Sequence, residues 1–192
     1  MIDRQVNADV ILYSNNVTMG HGMEEVINVG VNQNGEGLQR FPVPMLAADE
    51  TFAGVRLIET YVARSNACNT SCGSCDPLDF SGGFHVAYAT SQWNEMYACY
   101  DFRDNAVLWQ AGGATGQMDR SSVVGNASYT ASTDLVFDLD ITELATWIQS
   151  SQLSVILTGD DANGEIVIAQ KDYGAACSPP PEPVHVQFTA CH

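Results

Sequence analysis

The chain has 192 residues, 45% of them hydrophobic, enough for one domain with a sizeable core and too few for two ordinary ones. Seven Lys and Arg stand against 23 Asp and Glu, a net charge of −16, with Lys171 the sole lysine. Such a field repels phosphate backbones and anionic lipid, which excludes nucleic-acid partners, and no apolar run approaches the ~20 residues of a membrane span.

Period-2 alternation dominates the chain. Val10–Tyr13 reads as a first short strand. Over 26–31, Ile27, Val29 and Val31 alternate with Asn28 and Gly30. A turn at 32–37 leads into Leu38–Phe41, which Pro42 and Pro44 end or confine to a sheet edge. Val55–Val62 is rich in β-branched and aromatic residues. A polar, Cys-rich loop inserts at about 66–81, after which Phe84, Val86 and Tyr88 alternate with smaller or polar neighbours. Met96–Tyr100 and Val107–Trp109 are two further strand candidates. Leu135, Phe137 and Leu139 share one face of another.

Asp140–Glu143 has capping-box spacing, and Leu144, Trp147 and Ile148 follow at i, i+3 and i+4, predicting one short helix over about 140–149. Leu153, Val155 and Leu157 form a strand joined to Glu165–Ala169 through a segment containing Asn163-Gly164, a strong hairpin signal. Val184–Phe188 is the last strand. Short strands separated by Gly, Pro and Asn turns predict an all-β fold: a two-sheet antiparallel β-sandwich of jelly-roll type, one domain over 1–192.

Six cysteines, Cys68, Cys72, Cys75, Cys99, Cys177 and Cys191, are an even set in a Gly-rich β chain and read as disulfide partners of open connectivity. The competing chemistry is a Cys3His zinc site from Cys68, Cys72, Cys75 and His85, and Cys99 also suits a buried free thiol. Asn16, Asn69 and Asn126 each open an Asn-x-Ser/Thr glycosylation sequon. Residues 1–7 contain no apolar signal segment. The expected location is therefore extracellular, on a cell surface or on a virion, reached after removal of a signal or by another route.

The order of motifs resembles the DNRLRE-domain (disaggregatase-related) family of jelly-roll modules from secreted bacterial and archaeal proteins. The family's opening strand, "V-G" strand and "R-F-D" strand are similar to Ala8–Leu12, Ile27–Val31 and Arg40-Phe41, with Pro42 in place of the acidic residue. Its "A-x-L-x-L-Y" strand is similar to Gly54–Tyr61, and its "W-x-E-x-x-V-T-W" segment to Trp93–Tyr100, with Tyr100 where a Trp is usual. Trp109–Gly113, Phe137–Trp147 and Gly159–Gly164 match three later blocks, the middle one being the family's strand-to-helix segment "F-D-V-T-x-L-V-x-x-W". The resemblance spans nearly the whole chain and implies a jelly roll. Through relatives described as alginate-binding modules, it also implies polysaccharide recognition.

Trp93, Trp109 and Trp147 are the largest sugar-stacking surfaces, yet their places in strand and helix patterns assign them to the core. Tyr97, Tyr100, Tyr129 and Tyr173 are the remaining ligand-binding candidates. Asp160, Asp161, Asn163 and Glu165 crowd oxygen ligands into a few residues and suggest structural calcium, no other cofactor being required. The chain has no Gly-x-Ser-x-Gly elbow, His-Glu-x-x-His helix or phosphate loop. These features lead to the expectation of a non-catalytic module that binds a glycan or a surface partner. The alternatives are a self-associating subunit of a filament, appendage or virion, and a polysaccharide-active enzyme.

Overall fold

Residues 135–139 show how the alternation builds the molecule: Leu135, Phe137 and Leu139 are buried, while Val136 and Asp138 between them are exposed, since successive side chains of a strand leave opposite faces. The computed structural model describes residues 1–14, 26–30, 35–64, 83–128, 134–159, 165–169 and 184–191. The expected Cys-rich insertion at about 66–81 lies outside these residues.

Two sheets make up the fold, a two-sheet β-sandwich. The smaller sheet has the order β1 (Ile2–Gln5), β14 (His185–Cys191), β5 (Thr51–Glu59), β11 (Leu135–Leu139). The larger runs β10 (Arg120–Ser128), β7 (Gly83–Ala89), β12 (Gln152–Gly159), β4 (Gly35–Pro42), β3 (Val26–Gly30), β13 (Glu165–Ala169), β6 (Tyr61–Arg64). Strand β2 (Ala8–Tyr13) also pairs with β4, and β8 (Phe102–Asp104) with β9 (Val107–Leu108) forms a separate ribbon. All these pairings are antiparallel. Four nested pairs, β1–β14, β4–β12, β5–β11 and β7–β10, are linked by β14–β5 and β12–β7. That nesting is jelly-roll connectivity.

Several local expectations are corrected. Met96–Tyr100 is not a strand: Asn94 Oδ1 accepts from Met96 N at 3.0 Å, and the Asn94 carbonyl accepts from Tyr97 N and Ala98 N, which curls the segment into a turn. The helix α1 covers only Leu144–Trp147, and Asp140 does not cap it. The Asp140 carboxylate instead accepts from Thr142 N and Oγ1 at 2.8 and 2.6 Å, an Asx turn that holds its carboxyl below the usual range. Strands β1, β8 and β10 are additions to the sequence reading, and the expected strand Val55–Val62 divides at Thr60 between β5 and β6, which belong to different sheets. β10 is an edge strand, largely polar, so it lacks the apolar alternation that marks the others.

The inner core lies between the sheets and is built from Val55, Leu57, Phe137, Val186 and Phe188 on one side and Ile11, Phe41, Tyr88, Val155 and Leu157 on the other. Each large side chain so buried contributes roughly 1.5–3 kcal/mol. A second cluster occupies the outer face of the large sheet: Val10, Leu12, Leu38 and Ile156 are covered by Trp93, Ala98, Trp109 and Ala114 from residues 90–119. Strand β2 is consequently buried along its whole length.

Polar tethers hold this outer layer. Arg120 Nη2 donates to Glu36 and to the Gly113 carbonyl, and its Nε donates to Ala114 O. Burial pushes the Glu36 carboxyl up against the pull of Arg120. Trp109 Nε1 donates to Cys99 O at 2.9 Å, and Asp119 Oδ2 accepts from Ala111 N at 3.1 Å.

Candidate functional site

A cleft of about 220 Å³ opens where the outer layer, the helical turn and the β12 hairpin meet. Each wall has its own origin. Arg40 leaves the outer face of β4, with its guanidinium 4.8 Å from the Trp93 ring centroid and Nη1 donating to Trp93 O at 3.2 Å. The same ring donates from Nε1 to Ser154 Oγ of β12 at 3.0 Å. Arg103 Nη1 donates to the Gln92 carbonyl at 2.9 Å, so two of the chain's few cations fix the 92–93 backbone.

The opposite wall is Trp147 of α1 with Gln149, Ser150 and Gln152. Gln149 Nε2 donates to Thr90 O at 2.8 Å, and Gln152 Oε1 accepts from Asn7 Nδ2 at 2.9 Å. Gln149 and Gln152 also exchange backbone hydrogen bonds of 2.9 and 2.8 Å around a two-residue turn whose Ser150 and Ser151 both have positive φ, 52° and 60°. Asn-Gly fits such a turn without strain; serine there costs roughly 1–2 kcal/mol per residue. Trp147 is half-buried, and its indole Nε1 is enclosed without a hydrogen-bond partner among the described residues.

Two indole rings, three glutamine amides, serine hydroxyls and one guanidinium therefore line a single recess. An indole face packs against the C–H face of a pyranose, and flanking amides and hydroxyls match its hydroxyls. No carboxylate or histidine is among the lining residues.

The described tyrosine, cysteine and sequon candidates lie elsewhere. Tyr97 is 44% exposed on the outer layer and does not line the cleft. Tyr100 packs against Gly112 and Gly113. A Cβ at Gly113, which has φ +68°, would fall 2.8 Å from its ring, so this tyrosine serves packing. Asn126 is exposed on β10, its Oδ1 2.6 Å from His85 Nδ1. Among the described residues, Cys99 is a buried free thiol and Cys191 an exposed one. Cys99 sits in the turn-rich outer layer, not on a strand, and the two described cysteines are not bonded to each other.

Cys68, Cys72, Cys75, Cys177, Tyr129, Tyr173, Asn16, Asn69, Asp160, Asp161 and Asn163 fall outside the described residues, as does the side chain of Glu165. Trp93 and Trp109 are 5% and 4% exposed, as their core assignment requires, whereas Trp147 serves both core margin and cleft. Sequence reasoning missed the cleft because its residues come from 40, 89–93 and 147–154. The available signal was the Gln-Ser-Ser-Gln run directly after Trp147 and Ile148.

A second polar group lies within the inner core. Asp9, Gln39 and Glu59 are all 0% exposed. Gln39 Nε2 donates to Glu59 Oε2 at 3.1 Å from one sheet to the other. Burial pushes the Glu59 carboxyl up to about 8, against the Gln39 hydrogen bond and with the Asp9 charge adding to the rise.

Compared with known proteins, the chain matches no family model and no curated protein. Among the described residues no helix is long and apolar enough to cross a membrane.

Proposed function

We propose that this chain is a non-catalytic, surface-displayed module that binds a neutral glycan in the Trp147 cleft, on a jelly roll of the kind the DNRLRE-domain resemblance implies. The observation that carries the reading is the union of an accessible indole with Gln92, Gln149, Gln152 and Ser154 in one recess. Charge selects the ligand class. Arg40 is already committed to the Trp93 ring and carbonyl, and the net charge of −16 disfavours a polyanionic sugar.

A glycan array followed by calorimetry tests this. Saturable binding of a neutral oligosaccharide is expected, weakened at least ~10-fold, or ~1.4 kcal/mol, by Trp147→Ala. Gln149→Ala should weaken it less. Absence of any neutral ligand, or binding indifferent to Trp147→Ala, rejects the cleft.

Self-association is a second reading, drawn from the edge strands. β10 and β11 end their respective sheets and carry exposed Val123 and Val136, and an open edge is a template for another strand. Sedimentation of the purified chain checks it.

A further inference from the structure

Asp9, Gln39 and Glu59 come from three different strands, β2, β4 and β5, and converge inside the sandwich. Asp9 and Gln39 are register partners on neighbouring strands. Glu59 approaches from the facing sheet, in phase with the core residues Val55 and Leu57. The bond from Gln39 Nε2 to Glu59 Oε2 uses one oxygen of the carboxylate and none of the amide. Gln39 Oε1 and Glu59 Oε1 are both fully buried, and neither has a hydrogen-bond partner among the described residues. Acceptors enclosed in this way call for a donor or a cation.

We propose that Asp9, Gln39 and Glu59 form an internal site for a hard divalent cation, calcium by preference, that links the two sheets. Two carboxylates and an amide oxygen are the donor set of an oxygen-seeking ion. Among the described residues no three His, Cys, Asp or Glu side chains gather; here the third donor is an amide. Calcium tolerates the irregular geometry that strand-borne side chains impose, whereas magnesium requires a near-ideal octahedron. The three side chains are wholly enclosed, so the ion enters as the sheets close and leaves slowly afterwards.

The test is refolding. Protein unfolded in urea with EDTA is refolded with either calcium or EDTA, passed through a desalting column and analysed for bound metal and melting temperature. The calcium-refolded protein is expected to retain calcium at a stoichiometric level and to melt roughly 5 °C or more above the EDTA-refolded one. Glu59→Gln and, independently, Gln39→Leu should lose both the metal and the shift, while Asp160→Asn combined with Asp161→Asn should keep them.

Wild-type protein that refolds with neither bound calcium nor a higher melting temperature overturns the proposal and leaves a proton as the occupant. Retention of calcium by Glu59→Gln, or its loss in the Asp160/Asp161 double variant, overturns it by moving the ion elsewhere. Should either core variant fail to fold, the wild-type metal content and the double variant decide the matter.

Discussion

On its inner face the large sheet meets another sheet; on its outer face it meets residues 90–119, whose regular elements are two very short strands and one 3-10 turn. The inner contact is made by alternating apolar side chains, so parity along each strand specifies it. The outer contact has few apolar residues, chiefly Trp93, Ala98, Trp109 and Ala114, and is positioned by side chains that bind backbone groups: Arg40, Arg103, Arg120 and Asp119. One face is thus defined by periodicity and the other by individual hydrogen bonds. The cleft forms where the second kind of order meets the first.

The comparison is sharpest if the two faces fail differently. Phe137→Ala, in the inner core, should cost about 3–5 kcal/mol of global stability, read from urea unfolding. Trp109→Ala should release the outer layer locally, with amide exchange rising across 90–119 while β5, β11 and β14 stay protected. Equal exchange in both regions would erase the distinction.

The tether effect is smaller. Arg120→Met leaves Glu36, whose side chain is 21% exposed, without its cation, at about 2–3 kcal/mol. The Arg56–Asp138 pair, 2.7 Å apart across β5 and β11 and open to solvent, should by contrast leave the unfolding midpoint almost unchanged on Arg56→Ala. Chemical denaturation of the two variants side by side measures both.

The most gradual effect is that of pH on chelator-treated protein. Folded Glu59 holds its proton up to about pH 8, whereas the unfolded chain releases it near the ordinary 4.5. Between these values the native state binds the extra proton, so stability falls as pH rises, by up to about 1.4 kcal/mol per unit, and levels off once both states are ionised. A melting-temperature series should show this decline, and Glu59→Gln should flatten it.

The sandwich was legible because Leu135, Phe137 and Leu139, or Leu153, Val155 and Leu157, declare their buried face by parity alone. β10 was not: it ends its sheet with Ser122, Val123, Asn126 and Ser128 exposed, and its sequence, Arg120–Ser128, alternates little. The outer layer was misread at 96–100 because Asn94 imposes a turn on residues whose composition suits a strand. The same parity that reveals Leu57 also points Glu59 inward, a signal that needs the strand's facing sheet to become meaningful. The cleft was hidden for a plainer reason: tertiary folding brings together segments far apart in the chain.

Jelly-roll nesting has a kinetic consequence. β14 is a central strand of the small sheet, flanked by β1 and β5, although it follows every other described strand in sequence and so is synthesised after them. Until it arrives, β1 lacks the strand it pairs with among the described residues, and the apolar face of the large sheet lacks much of its cover. Such dependence on contacts distant in sequence slows folding and prolongs the exposure of sticky surface, which makes the nascent chain, rather than the finished one, the form most in need of chaperones.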